Sequence, residues 1–171
     1  MNPEAPDATP ASETDVCELR WENEADTQVF ASRLALAIRA LNGNIFIALD
    51  GALGEGKTTL VRHLLQALGV SGRIKSPTYA VVESYELPDL MVWHLDFYRF
   101  NDPQEFEDAG LREVFAGPGL KLAEWPDKAG QHLPIADWEL SLRSEGETRR
   151  RVEVRRRTLR GAQLWAAFCG T

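Results

Sequence analysis

One eight-residue string constrains this chain more than any other: Gly51-Ala-Leu-Gly-Glu-Gly56-Lys57-Thr58, which fits G-x-x-x-x-G-K-[ST]. Asn44 to Asp50 (NIFIALD) runs into it, an apolar stretch too short for a core helix and bounded by glycine, as a buried strand is. Out of it come Leu60, Leu64 and Leu68, spaced four apart and stopped by Gly69, which predicts a helix starting near Thr58. A strand feeding a glycine loop and then a helix predicts an α/β domain, three-layered, with a mainly parallel central sheet. The glycines let successive backbone N–H groups turn inward around an anion, and the helix start aims its free N–H groups at the same point. Gly51, Leu53, Gly54, Glu55, Gly56, Lys57, Thr58 and Thr59 are therefore the candidate phosphate-binding residues, with Lys57 reaching β- and γ-phosphates and Thr58 offering its hydroxyl to Mg²⁺.

The rest of the chain fits one domain around that unit. Residues 1–16, rich in Pro, Ala, Ser, Thr and acids, predict a flexible acidic tail, and 17–171 a single domain. Cys17 to Trp21 reads as a short edge strand. Asp26-Thr27 reads as a helix cap before Phe30, Leu34, Ala37, Ile38 and Leu41, a pattern that Gly43 ends. Beyond the loop helix, Gly69 to Pro77 is turn-rich, and Ala80 to Tyr85 and Met91 to Phe97 predict strands. Pro103 opens a short helix through Phe106 and Leu111. Leu120 to Trp125, Asp137 to Arg143 and Arg151 to Arg155 alternate as strands do, the last two expected to be antiparallel, and Gly161 to Phe168 closes as a helix.

Composition excludes some classes and leaves others. No apolar run approaches the ~18 residues of a membrane span. The acidic N-terminus lacks the basic start and apolar stretch of a secretory signal, so a cytoplasmic protein is expected. Cys17 and Cys169 are too few for a disulfide framework and read as ordinary thiols. Residues 1–26 hold eight acids against Arg20 alone, which accounts for the whole net charge of −7; the remainder is balanced. Charge therefore neither argues for an RNA-linked role nor excludes one.

A phosphate loop needs carboxylates to steady its metal. Met91 to Asp96 is an apolar strand ending in an acid, and Glu124 ends the strand begun at Leu120; in a parallel sheet both emerge on the edge that bears the loop. None of the four lysines is followed two residues later by Asp, so a guanine-reading Asn-Lys-x-Asp motif is missing and ATP is the expected nucleotide. Ser76-Pro77-Thr78-Tyr79 stands where a switch-like loop belongs, although an ordinary turn accounts for it equally well. Arg149 to Arg151 and Arg155 to Arg157 read as an edge strand with solvated arginines, as a phosphate contact or as a docking surface; no single arginine is nominated. His63 and His94 lack clustered partners and read as packing or hydrogen-bonding groups. On these residues alone the chain is an ATPase, a small-molecule kinase, or a nucleotide-gated binding module without meaningful hydrolysis.

The glycine loop through Thr59, Ser-Pro-Thr-Tyr79, His94-Leu-Asp-Phe-Tyr-Arg99 and Glu124-Trp-Pro126 together resemble, in order and spacing, the TsaE (YjeE) family over about residues 18–160. The resemblance implies a bacterial cytoplasmic ATPase supporting threonylcarbamoyl-adenosine formation at position 37 of tRNAs reading ANN codons. It implies TsaD and TsaB as protein partners, with tRNA met through their complex and neither membrane nor DNA involved. Carried over by position, it implies ATP and Mg²⁺ as cofactors, with Thr58, Asp96 and Glu124 as metal-linked groups. Lys57, Asp96 and Glu124 would be catalytic, Trp125 would line the nucleotide pocket, and Thr27 would lie near the adenine. Ala52 and Glu55 depart from the family's commonest pattern, at positions where the backbone N–H matters more than the side chain.

Overall fold

A computed structural model of the protein describes residues 15–171; the expected acidic tail lies outside them except at its last two residues. Val16, assigned above to that tail, already belongs to the first strand. The elements run β1 (Val16–Trp21), α1 (Glu24–Ala40), β2 (Phe46–Asp50), α2 (Lys57–Ala67), β3 (Val82–Leu87), β4 (Leu90–Asp96), α3 (Glu105–Asp108), α4 (Leu111–Ala116), β5 (Leu120–Glu124), β6 (Trp138–Ser144), β7 (Arg150–Arg156) and α5 (Leu159–Cys169). The seven strands form one sheet in the order β1-β7-β6-β2-β5-β4-β3. Its centre, β6-β2-β5-β4, is parallel, while β3 on one side and β7 and β1 on the other are antiparallel to their neighbours. The expected α/β architecture is thus present, with β6 joining the parallel centre and only its pairing with β7 antiparallel.

The alternation of β2 explains the layers. Ile47 and Leu49 face a core shared with Leu34 and Ile38 of α1, Leu60 and Leu64 of α2 and Leu164 and Phe168 of α5. Phe46 and Ala48 face a second core with Phe97, Phe106, Leu111 and Ala129. A strand apolar on both faces needs cover on both, which the helices supply.

Several boundaries differ from the expectations for local reasons. Asn23, not Asp26-Thr27, caps α1: its side chain accepts the Ala25 N–H at 2.8 Å, and Thr27 lies inside the helix. The single helix expected after Pro103 is two, because Gly110 takes a left-handed conformation (φ 70°) and restarts the chain as α4. The strand expected from Ala80 starts at Val82, since Val81 has φ 69°. β5 ends one residue early because Trp125 has φ 58°. The arginine-rich strand β7 is not an edge; β1 covers it.

Candidate functional site

The loop 51–56 leaves the carboxyl end of the central strand β2 and enters α2. Gly56 caps α2 with φ 100°, which keeps the first-turn amides open toward the loop. Gly51 has φ 151°, and a Cβ there would stand 2.8 Å from the Leu142 carbonyl oxygen, so the loop passes β6 only as glycine. Leu53 at the loop's tip is 76% exposed. The Glu55 carbonyl accepts the Arg150 Nε–H at 3.0 Å, and its carboxylate accepts the Ser144 hydroxyl at 2.7 Å.

Lys57 is buried and folds back over the loop, donating from Nζ to the carbonyls of Gly51 (2.5 Å) and Ala52 (2.9 Å). Its ammonium lies 4.2 Å from the centroid of the Trp125 ring. Burial pushes the Lys57 ammonium below the ordinary lysine range, against the opposing pull of Glu124, Asp96, Asp50 and Glu55. A cation held only by carbonyls and an indole face is ready to exchange them for a stronger anion.

The two expected carboxylates meet. β4 and β5 pair in parallel with Asp96 directly beside Glu124, and both are buried. The Thr58 hydroxyl lies 3.1 and 3.0 Å from the two oxygens of Glu124, so Glu124, and not Asp96, is the acid that meets the loop threonine. Asp96 is held from the other side: its Oδ2 accepts the hydroxyls of Ser76 and Thr78 (3.1 Å for Thr78), and its Oδ1 accepts the Tyr98 N–H at 2.9 Å. The segment Ser76–Tyr79, read above as a switch-like loop or a turn, thus reaches the site through two hydroxyls.

Trp125 adopts its left-handed backbone while donating its N–H to the Leu49 carbonyl at 3.2 Å. A bulky residue with φ > 0 costs on the order of 1–3 kcal/mol, and here it turns the ring onto Lys57. Trp125 therefore lies at the lysine end of the loop. Thr27 lies at the opposite end, with Thr59, Gly56, Asn23, Leu142 and Arg150 around a cavity of about 100 Å³. Sequence reasoning left Arg150 without a role; its seat beside Gly56 arises from strand order, and no local signal in the arginine run singles it out. Other arginines of that run stay open to solvent, as expected, while pairing with acids: Arg151 with Glu145 at 2.9 Å, Arg155 with Glu153 at 2.9 Å and Arg157 with Glu139 at 3.0 Å. Sequence reasoning also passed over His94 as a functional residue. It is fully buried, with Nε2 2.8 Å from Glu124 Oε1. His63 hydrogen-bonds Glu24 at 2.8 Å.

The donors facing one another at the loop are hard oxygens, Thr58, Glu124 and Asp96, which suit Mg²⁺. Among the described residues no three His, Cys, Asp or Glu side chains converge as a self-sufficient metal cage. The arrangement is chemically equipped to bind a phosphate chain with its metal and to polarise what approaches it.

Comparison with known proteins shows the family and the fold. The family model described as "Threonylcarbamoyl adenosine biosynthesis protein TsaE" matches residues 21–152. A tRNA threonylcarbamoyladenosine biosynthesis protein TsaE from Haemophilus influenzae is 40% identical over 124 residues, 72% of this chain and 78% of that protein. Proteins of the same name from Bacillus subtilis and Aquifex aeolicus are 31% and 32% identical, covering 79% and 82% of this chain and 84% and 96% of theirs. The crystal structure of Bacillus subtilis YdiB superposes with a TM-score of 0.74 at 24% identity, over 91% of this chain and 95% of that one, a likeness of fold.

Proposed function

The chain belongs to the TsaE family, and from that premise we propose that it is an ATPase that binds ATP with Mg²⁺ and hydrolyses it in support of tRNA threonylcarbamoyladenosine formation. TsaB and TsaD are its proposed partners, tRNA is met through their complex, and the cytoplasm is the proposed compartment. No described helix is long and apolar enough to cross a membrane. The observation that carries the reading is the contact of the Thr58 hydroxyl with both oxygens of Glu124, beside Asp96 and with Lys57 at the same loop.

Loop amides and the first turn of α2 bind the phosphate oxygens, and Lys57 moves from the Gly51 and Ala52 carbonyls to the β- and γ-phosphates. Thr58 donates its hydroxyl hydrogen bond to Glu124, which would leave the oxygen's lone pairs free for the metal. A bound Mg²⁺ supplies charge neutralisation on the phosphate oxygens. Asp96, fixed by Ser76, Thr78 and the Tyr98 amide, supports the same position. The second face of Glu124 orients water toward the γ-phosphorus. Thr27, Thr59 and Arg150 border the nucleoside end. The arginine beside Gly51 is Arg143, which is engaged by Asp50 at 2.8 Å. Turnover that is slow alone and faster with partners is part of the proposal.

Phosphate release from ATP tests the reading, measured with and without TsaB, TsaD and tRNA. Release that rises with the partners is expected. Glu124→Gln should retain ATP binding but lose about 10²-fold or more in rate, the scale of one electrostatic group in a transition state. An unchanged rate in Glu124→Gln, or label transferred to a nucleoside or sugar, overturns it.

A further inference from the structure

His94 is the one buried histidine of β4, and its surroundings are odd for a packing residue. It is wholly inaccessible, its Nε2 meets Glu124 Oε1 at 2.8 Å, and its Nδ1 has no hydrogen-bond partner among the described residues. With the Glu124 carboxylate accepting, as it does from Thr58, Nε2 is the donor of this contact, which leaves Nδ1 a buried acceptor with no partner among the described residues. A buried acceptor without a donor lowers stability, and an apolar side chain of similar volume avoids that cost. Stability alone therefore does not account for an imidazole here. What the imidazole does provide is a rigid donor to the carboxylate that also touches Thr58.

The register shows why one donor matters. His94 sits opposite Leu122 and Asp96 opposite Glu124, so His94, Asp96 and Glu124 share the face of the sheet toward α2. Glu124 ends its strand just before the left-handed Trp125, where the chain leaves the sheet. A glutamate there has three rotatable torsions, and among the described residues the side chains that hydrogen-bond it are Thr58 and His94. Thr58 is expected to turn its lone pairs toward a metal when one binds, so the hydroxyl alone is a changing anchor. We propose that His94 is a positioning residue: by donating from Nε2 to Oε1 it holds the Glu124 carboxylate against Thr58, in the orientation in which the pair receives Mg²⁺ with the nucleotide. The proposal rests on the metal–nucleotide reading above. It does not require hydrolysis.

The test compares His94→Leu, which removes the donor, with His94→Gln, whose amide nitrogen reaches the place of Nε2. Calorimetry with the non-hydrolysable analogue AMP-PNP reads affinity in EDTA and in Mg²⁺, and the ratio of the two is the metal-dependent gain. The wild-type protein should show a gain. His94→Leu should lose about tenfold of it, the scale of one hydrogen bond to a charged group. Its affinity in EDTA should be unchanged, because the loop amides and Lys57 do not depend on His94. His94→Gln should recover most of the gain, and His94→Leu should melt no lower than the wild type. If His94→Leu does not fold, His94→Gln against His94→Asn makes the same comparison, since the shorter amide stops short of Glu124. An undiminished gain in His94→Leu, equal losses in Gln and Leu (or in Gln and Asn), or no gain in the wild type overturns the proposal. Phosphate release measured in parallel separates the two readings: its absence in a wild-type protein that shows the gain defeats hydrolysis and leaves the positioning role standing.

Discussion

Lys57 keeps its charge where burial disfavours it. Its proton is bound less tightly in the folded chain than in the unfolded one, so the charged form costs stability below the folded pKa. That cost is relieved as pH rises through the lowered value toward the ordinary one. Binding runs the other way, because phosphates need the ammonium. Affinity for ATP with Mg²⁺ should therefore fall as pH climbs through the lowered Lys57 value, while Thr58 and the loop amides are unaffected. Lys57→Met should weaken ATP binding by roughly 10–100-fold, the loss of one or two charge-assisted hydrogen bonds, without lowering the melting temperature of the nucleotide-free protein. Calorimetry across pH with both proteins checks this; a decline of equal size in Lys57→Met assigns the titration to another group. The role of this residue was legible in the sequence because its spacing from Gly51 and Thr58 is local. The segment Ser76–Tyr79 was legible only as a switch-like loop or a turn, and the roles of His94 and Arg150 were not legible, since each reaches the site through strand pairing or a long loop: Ser76 meets Asp96 twenty positions on, and His94 meets Glu124 thirty on.

At the scale of elements, α2 and the strands around it were readable from apolar spacing, whereas ends were set by backbone conformations with no periodic signal. Asn23 capped α1 ahead of the expected pair, and Gly110 divided a helix that apolar spacing alone joins. Val81 and Trp125 adopt left-handed backbones that neither residue type announces. The seat of α5 shows how closely elements meet away from the site. Asp137 accepts the Thr158 hydroxyl at 2.5 Å and the Phe46 N–H at 2.8 Å, and Trp138 Nε1 donates to the Gly161 carbonyl at 2.8 Å. A Cβ on Gly161 would stand 2.2 Å from the Asp137 carbonyl oxygen, which is backbone and has little room to yield. Gly161→Ala should therefore destabilise the protein by about 1–3 kcal/mol, a loss of several degrees in melting temperature. Its affinity for ATP should be unchanged, because α5 does not border the phosphate loop. A melting temperature equal to that of the wild type contradicts the packing described for this helix.

Across the whole molecule, strand order does what sequence order cannot. β2 lies between β6 and β5, so the loop after it is flanked by the end of β5, which brings Glu124, and by the β6–β7 side, which brings Ser144 and Arg150. β4 follows β5 in the sheet and sets Asp96 beside Glu124. Four segments separated by as many as 95 residues thus converge on one edge of a parallel centre, the general place for ligands in open α/β sheets. Anomalous diffraction from Mn²⁺ in crystals grown with AMP-PNP tests this convergence most directly. A single peak within coordination distance of Thr58 Oγ1, flanked by Asp96 and Glu124, with the triphosphate along residues 51–59, is expected. A peak remote from those three side chains, or a nucleotide bound away from the glycine loop, would contradict it.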